Sequence, residues 1–74
     1  MGEAFVLINC DLGKENQVVK RLQDMPLVKE AQATVGVYDV IAKLESTSED
    51  LDTVIKSEIL PIKPVNRVVK LEFY

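Results

Sequence analysis

Hydrophobic and polar positions switch between two periods along this chain. Residues 4–10 are apolar except for Asn9, a length and degree of branching that suit a strand covered on both faces. Asp11, Leu12 and Gly13 read as a loop. Over residues 14–25, Val18, Val19, Leu22 and Met25 recur at helical spacing between charged and amide residues, and Pro26 ends the run. Residues 28–35 alternate Ala31, Ala33 and Val35 with Glu30, Gln32 and Thr34, the pattern of a half-exposed strand. Gly36 breaks it and predicts a tight hairpin into a third strand over 38–44. A second helix opens at 46–50, where Ser46 with Glu49, or Thr47 with Asp50, has capping-box spacing. Leu51, Val54, Ile55 and Ile59 share one face of that helix, and Pro61 and Pro64 bracket the turn after it. In the last strand, 65–73, Val65, Arg67, Val69, Leu71 and Phe73 point one way and Asn66, Val68, Lys70 and Glu72 the other.

The predicted order is β-α-β-β-α-β, an α+β ferredoxin-like plan. Right-handed crossovers put both helices on one face of a four-stranded antiparallel sheet. The other face has no cover within the chain, yet strand one and much of strand three are apolar on both sides. A second sheet from an identical subunit is the simplest remedy. A charge placed at Leu7 or Val40 tests this, although the pattern alone does not say which of the two faces the partner.

Length reinforces the expectation of a dimer. The chain has 74 residues, enough for a single domain over 1–74. A domain of this size buries only about 60% of its unfolded surface. Cys10 is the only cysteine, so no disulfide within the chain can help, and the lack of histidine nearly rules out a zinc site built on cysteine and histidine. Asp11 with Gly13 is a loop, and a lone Asp-x-Gly does not make a calcium site, so no bound metal is expected. No cofactor motif is present: Gly13-Lys14 lacks the upstream glycine and following Ser or Thr of a phosphate loop. The apolar run at 4–8 is too short for a membrane span or signal peptide, so a cytoplasmic protein is expected. Basic residues are dispersed among acids, and the net charge is -3, which predicts no direct nucleic-acid binding.

Chemistry is sparse. Without histidine the commonest general base is missing, and Cys10, ending a buried strand, reads as a small core residue with nothing to activate it. The carboxylates Glu49, Asp50 and Asp52 read as a helix first turn. One cluster stands apart: Gly36-Val37-Tyr38-Asp39. Its plain reading is a hairpin turn with an aromatic and an acid entering a strand. Its functional reading is a glycine turn whose free peptide N–H groups receive a carboxylate, beside an aspartate that receives an ammonium. Such a pair suits a zwitterion.

With that cluster included, the sequence resembles the effector-binding RAM domain (regulation of amino acid metabolism) of the Lrp/AsnC transcription regulators. The resemblance rests on Ala4-Phe5-Val6-Leu7-Ile8, on Gly13-Lys14 leading into Val18-Val19, and on Leu22 with the turn Pro26-x-Val28. Its most specific part is Val28-Lys29-Glu30-Ala31 followed by Gly36-x-Tyr38-Asp39-x-Ile41-x-Lys43. It implies the same ferredoxin-like plan, in an ACT- or RAM-like dimer built sheet to sheet and often assembled into higher homo-oligomers. It further implies that an amino acid or similar small effector binds in a cleft between dimers near the Gly-x-Tyr-Asp turn; the residues then suggest that Gly36, Tyr38 and Asp39 line the site, with Val37 and Thr34 at its edge. Family regulators carry a helix-turn-helix domain ahead of this one, and residues 1–3 leave no room for it, so the expectation is a stand-alone member that either buffers a metabolite or joins a full-length Lrp/AsnC-type regulator. Two rival readings remain: an oligomerisation module without a ligand, and a small dimeric ferredoxin-like enzyme.

Overall fold

The computed structural model describes residues 2–46 and 50–72. Strand β1 (Gly2–Cys10) leads into helix α1 (Glu15–Gln23), followed by β2 (Val28–Ala33) and β3 (Val40–Ser46). Helix α2 (Leu51–Val54) continues as a π-helical turn, Ile55–Ile59, before β4 (Val65–Glu72). The strands form one sheet in the order β2-β3-β1-β4. β1 lies in the interior, antiparallel to both β3 and β4. This is the βαββαβ ferredoxin-like α+β arrangement expected from the sequence.

Alternation along the two central strands decides which side is core. Ala4, Val6 and Ile8 of β1 and Val40 and Leu44 of β3 are fully buried at 0% exposure. They pack with Val18 and Leu22 of α1 and with Leu51, Ile55 and Ile59 from the second helical segment. Both helices therefore cover the same face. Each large aliphatic side chain buried there stabilises the fold by roughly 1.5–3 kcal/mol. Phe5, Leu7 and Ile41 are only half-buried, on the opposite face. The register places Val69 beside Leu7 and Leu71 beside Phe5 on that same face. Leu7 therefore faces outward, whereas Val40 belongs to the core.

Several local features differ from the sequence expectation, each for a physical reason. β2 stops at Ala33 rather than residue 35, and loop 34–39 replaces a tight hairpin. There the Thr34 amide bonds the Asp39 carbonyl at 2.8 Å and the Thr34 hydroxyl bonds the Tyr38 carbonyl at 2.7 Å, closing the loop on itself. A register shift between Val28 and Glu30 also interrupts the simple alternation of β2. The second helix is capped by Asp50, whose carboxylate accepts from the Asp52 amide at 3.1 Å and the Thr53 hydroxyl at 3.3 Å. Ser46 is instead a buried residue of β3, while Thr47 and Glu49 lie outside the described residues, as does Phe73. At the π-turn, the Ser57 hydroxyl takes the Thr53 carbonyl at 2.8 Å, and the Leu60 amide reaches back to the Ile55 carbonyl at 2.8 Å. A serine bonding the carbonyl four residues back bends a helix. Finally, a shift between Asn9 and Cys10 sets Val65 opposite Cys10, so Val65 packs on the core rather than alongside Arg67.

Candidate functional site

Loop 34–39 leaves the sheet at the end where β1 finishes, and β1 holds it there. The Asp39 amide donates to the Ile8 carbonyl at 2.9 Å. The Cys10 amide donates to Asp39 Oδ2 at 2.9 Å. The Asn9 Nδ2 group donates to the Val37 carbonyl at 2.8 Å. Both ends of the loop are thus fixed, while its crest projects: Val35 is 99% exposed and Val37 83%. Gly36 at the crest has φ +119°, a conformation L side chains rarely adopt, and open space where a Cβ would stand. The glycine is therefore required by its backbone, and its surroundings leave room for another molecule to approach.

The five residues singled out from the sequence, Thr34, Gly36, Val37, Tyr38 and Asp39, occupy this one loop. Tyr38 and Asp39 are half-buried at its base. Among the described residues, the amides of Val35, Gly36, Val37 and Tyr38 have no protein acceptor. Consecutive unpaired amides can form an anion-receptive concavity, and here they run up to Asp39 along the loop. One oxygen of that carboxylate is engaged by the Cys10 amide, so Asp39 supports the loop as well as charging it.

Sequence reasoning missed Asn9. It is the one polar residue in the apolar run of β1, and that break in the pattern was the available signal. Its side chain ties the strand to the loop crest. Cys10 is 7% exposed, and burial pushes its thiol pKa up, with the negative charges of Asp39, Glu15 and Asp11 acting in the same direction. Such a thiol is a weak nucleophile. Among the described residues no His, Cys, Asp or Glu cluster is arranged to hold a metal ion. Among the same residues no helix is long and apolar enough to cross a membrane.

Comparison with known proteins gives a consistent picture. No curated protein matches the sequence. The crystal structure of FFRP-DM1 is 36% identical, with a TM-score of 0.92 and all of both chains covered. A hypothetical protein from Pyrococcus horikoshii, PHS023, is also 36% identical, with a TM-score of 0.90, covering 100% of this chain and 90% of its own. The L-Met complex of transcriptional regulator NMB0573 from Neisseria meningitidis shares the fold at 13% identity and a TM-score of 0.81, with 99% of this chain matching 49% of that one. The family model for the Lrp/AsnC ligand binding domain matches residues 3–70, reaching into every strand and helix described above, and the chain belongs to that family.

Proposed function

We propose that this domain binds an amino acid at loop 34–39 and serves as a regulatory effector-binding unit rather than an enzyme. The observation that carries this reading is the run of amides at 35–38 without protein acceptors among the described residues, leading directly into Asp39. The amides receive the effector's carboxylate and Asp39 its ammonium. Tyr38 shapes one wall, with Thr34 and Val37 at the edge. The L-methionine complex of the Neisseria regulator, which shares the fold, supports the ligand class.

The functional unit in this reading is a dimer joined through the open sheet face. Phe5, Leu7, Ile41, Val69 and Leu71 lie on it. Glu3 and Glu45 flank Lys43 at 3.8 and 3.6 Å and set a charged border to the apolar centre. Higher oligomers and pairing with a full-length regulator of the same family extend the same scheme. Thermal-shift screening with the twenty amino acids tests it, because a ligand that binds only the native state raises apparent stability. A rise in Tm with one or a few amino acids is expected.

A second reading, a ligand-free oligomerisation module, draws on the exposure of Val35 and Val37, which suits a subunit contact as well as a ligand. No shift with any amino acid, together with a stable oligomer, would favour it.

A further inference from the structure

A second feature lies on the helix side of the molecule, away from loop 34–39. A groove of about 340 Å³ runs between the end of α1 and the turn that precedes β4. Lys20 and Arg21 line one wall and Lys63 the other, with Asp24 the only acid among the lining residues. Ile62 and Pro64, both buried, also line it. The turn is well anchored: the Asp11 amide donates to the Pro64 carbonyl at 2.9 Å, and the Val65 amide to the Ile62 carbonyl at 2.9 Å.

The gathering of charge needs a reason. The chain as a whole carries -3, yet three cations converge on this groove. Among the described residues, none of the three has a carboxylate within 4.0 Å. Lys20 and Arg21 stand in the last turn of α1, where the helix dipole favours cations. That explanation does not extend to Lys63, which belongs to a different segment and faces the same space. Three exposed cations sharing one groove with a single carboxylate leave it with a net positive charge, which a bound anion neutralises.

We propose that this groove binds a small phosphorylated ligand, with Arg21 engaging phosphate oxygens through its planar fork and Lys20 and Lys63 acting as point charges. The size is at the lower end of the usual range for small-molecule sites, roughly 300–1,000 Å³, and accommodates a diphosphate group. A long polyanion is disfavoured, because beyond the groove it meets a net negative surface. Asp24 at the rim is a hydrogen-bond acceptor for a hydroxyl of the ligand and repels ligands whose phosphate extends toward it.

Calorimetry on the whole chain with inorganic pyrophosphate and with ADP tests the proposal. Saturable binding that weakens as salt is raised is expected. Lys63→Gln alone and Lys20→Gln with Arg21→Gln should each lower affinity by about tenfold or more, the loss of one or more charged hydrogen bonds. Lys56→Gln, an exposed cation outside the groove, should leave it unchanged. Circular dichroism confirms that the variants fold. Absence of saturable binding of either probe up to about 5 mM, or equal affinity in wild type and Lys63→Gln, overturns the proposal. Tighter binding of a poly-glutamate peptide than of pyrophosphate also overturns it, since the groove would then serve an acidic protein segment.

Discussion

The carboxylate of Asp39 accepts a hydrogen bond from the backbone amide of Cys10 at 2.9 Å, across 29 positions of sequence. It therefore has two separable roles, one in holding the loop and one in the charge offered to an effector, and substitutions tell them apart. Asp39→Asn keeps an acceptor oxygen and loses the charge. It should leave Tm nearly unchanged while weakening amino-acid binding by about one to two orders of magnitude, the value of a charged hydrogen bond of roughly 1.5–3 kcal/mol. Asp39→Ala strands the part-buried Cys10 amide and should cost about 1–3 kcal/mol of stability as well. Thermal denaturation and calorimetry on both variants decide this. Equal effector affinity in wild type and Asp39→Asn would remove the carboxylate from the site.

Gly36→Ala probes the crest of the same loop. No neighbour obstructs the new Cβ, so any loss arises from the backbone at φ +119°. A cost of about 1–3 kcal/mol is expected if the loop keeps its shape. A loop that rearranges instead should lose less stability but bind effector poorly, because its unpaired amides are moved. Unchanged Tm and unchanged binding together would show that the glycine geometry is dispensable.

Cys10 gives a pH-dependent test. Burial, followed by the charges of Asp39, Glu15 and Asp11, raises the thiol's pKa in the folded chain. The folded state therefore holds the thiol proton more tightly than the unfolded state. The resulting stability is fully present below the unfolded pKa of about 8.5 and is lost as pH rises through the folded value. Cys10→Ala should show a shallower loss of stability than wild type between about pH 8 and pH 10. Native Cys10 should also react with a thiol reagent far more slowly than the urea-unfolded chain. Equal labelling rates would mean that the thiol is neither buried nor raised.

The sequence made some of these features legible and hid others. The buried set of β1, Ala4, Val6 and Ile8, was implicit in the apolar run, but the intervening Phe5 and Leu7 are just as apolar. Hydrophobicity alone therefore did not tell the two faces apart, and packing against Val18 and Leu22 of α1 did. The loop was located by Gly36-Val37-Tyr38-Asp39, since glycine and aspartate mark turns through their own backbone preferences. Its tethers were not visible, because Asn9 and the Cys10 amide lie far away in sequence and meet it only once β1 and β3 pair. The helix cap was misplaced because several Ser, Thr and Asp residues stood in a row, each chemically able to cap.

That cap is itself testable. Asp50 accepts from the Asp52 amide and the Thr53 hydroxyl, and the helix it starts supplies the buried Leu51 and Val54. Asp50→Ala should destabilise by about 1 kcal/mol, within the usual range of 0.5–2 for such caps, and Asp50→Ser should restore most of it. Urea titration at fixed protein concentration measures both. Asp50→Ala with wild-type stability would place the cap elsewhere.

The open sheet face yields the test of assembly. Leu7 and Val40 lie in directly paired strands, but Val40 is fully buried beneath the helices, whereas Leu7 is half-exposed on the other side. Val40→Asp puts an unpaired charge into the core, and the expected outcome is loss of cooperative unfolding. Leu7→Asp puts the charge among Phe5, Ile41 and Val69 on the uncovered face. In an isolated chain that position tolerates a polar group. In a sheet-to-sheet dimer it meets its symmetry mate's neighbourhood, and the charge is desolvated on both sides. Each half-exposed aliphatic on the face gains roughly 1 kcal/mol on full burial, about half of the complete transfer value. A single charge therefore offsets several such gains. Sedimentation velocity should show wild type as a dimer or larger at micromolar concentration and Leu7→Asp shifted toward monomer. If Leu7→Asp unfolds instead, the dimer supplies stability that the monomer lacks, and raising the concentration of wild type should then raise its Tm. A folded wild-type monomer at micromolar concentration, with Tm independent of concentration, rules out the sheet-face dimer.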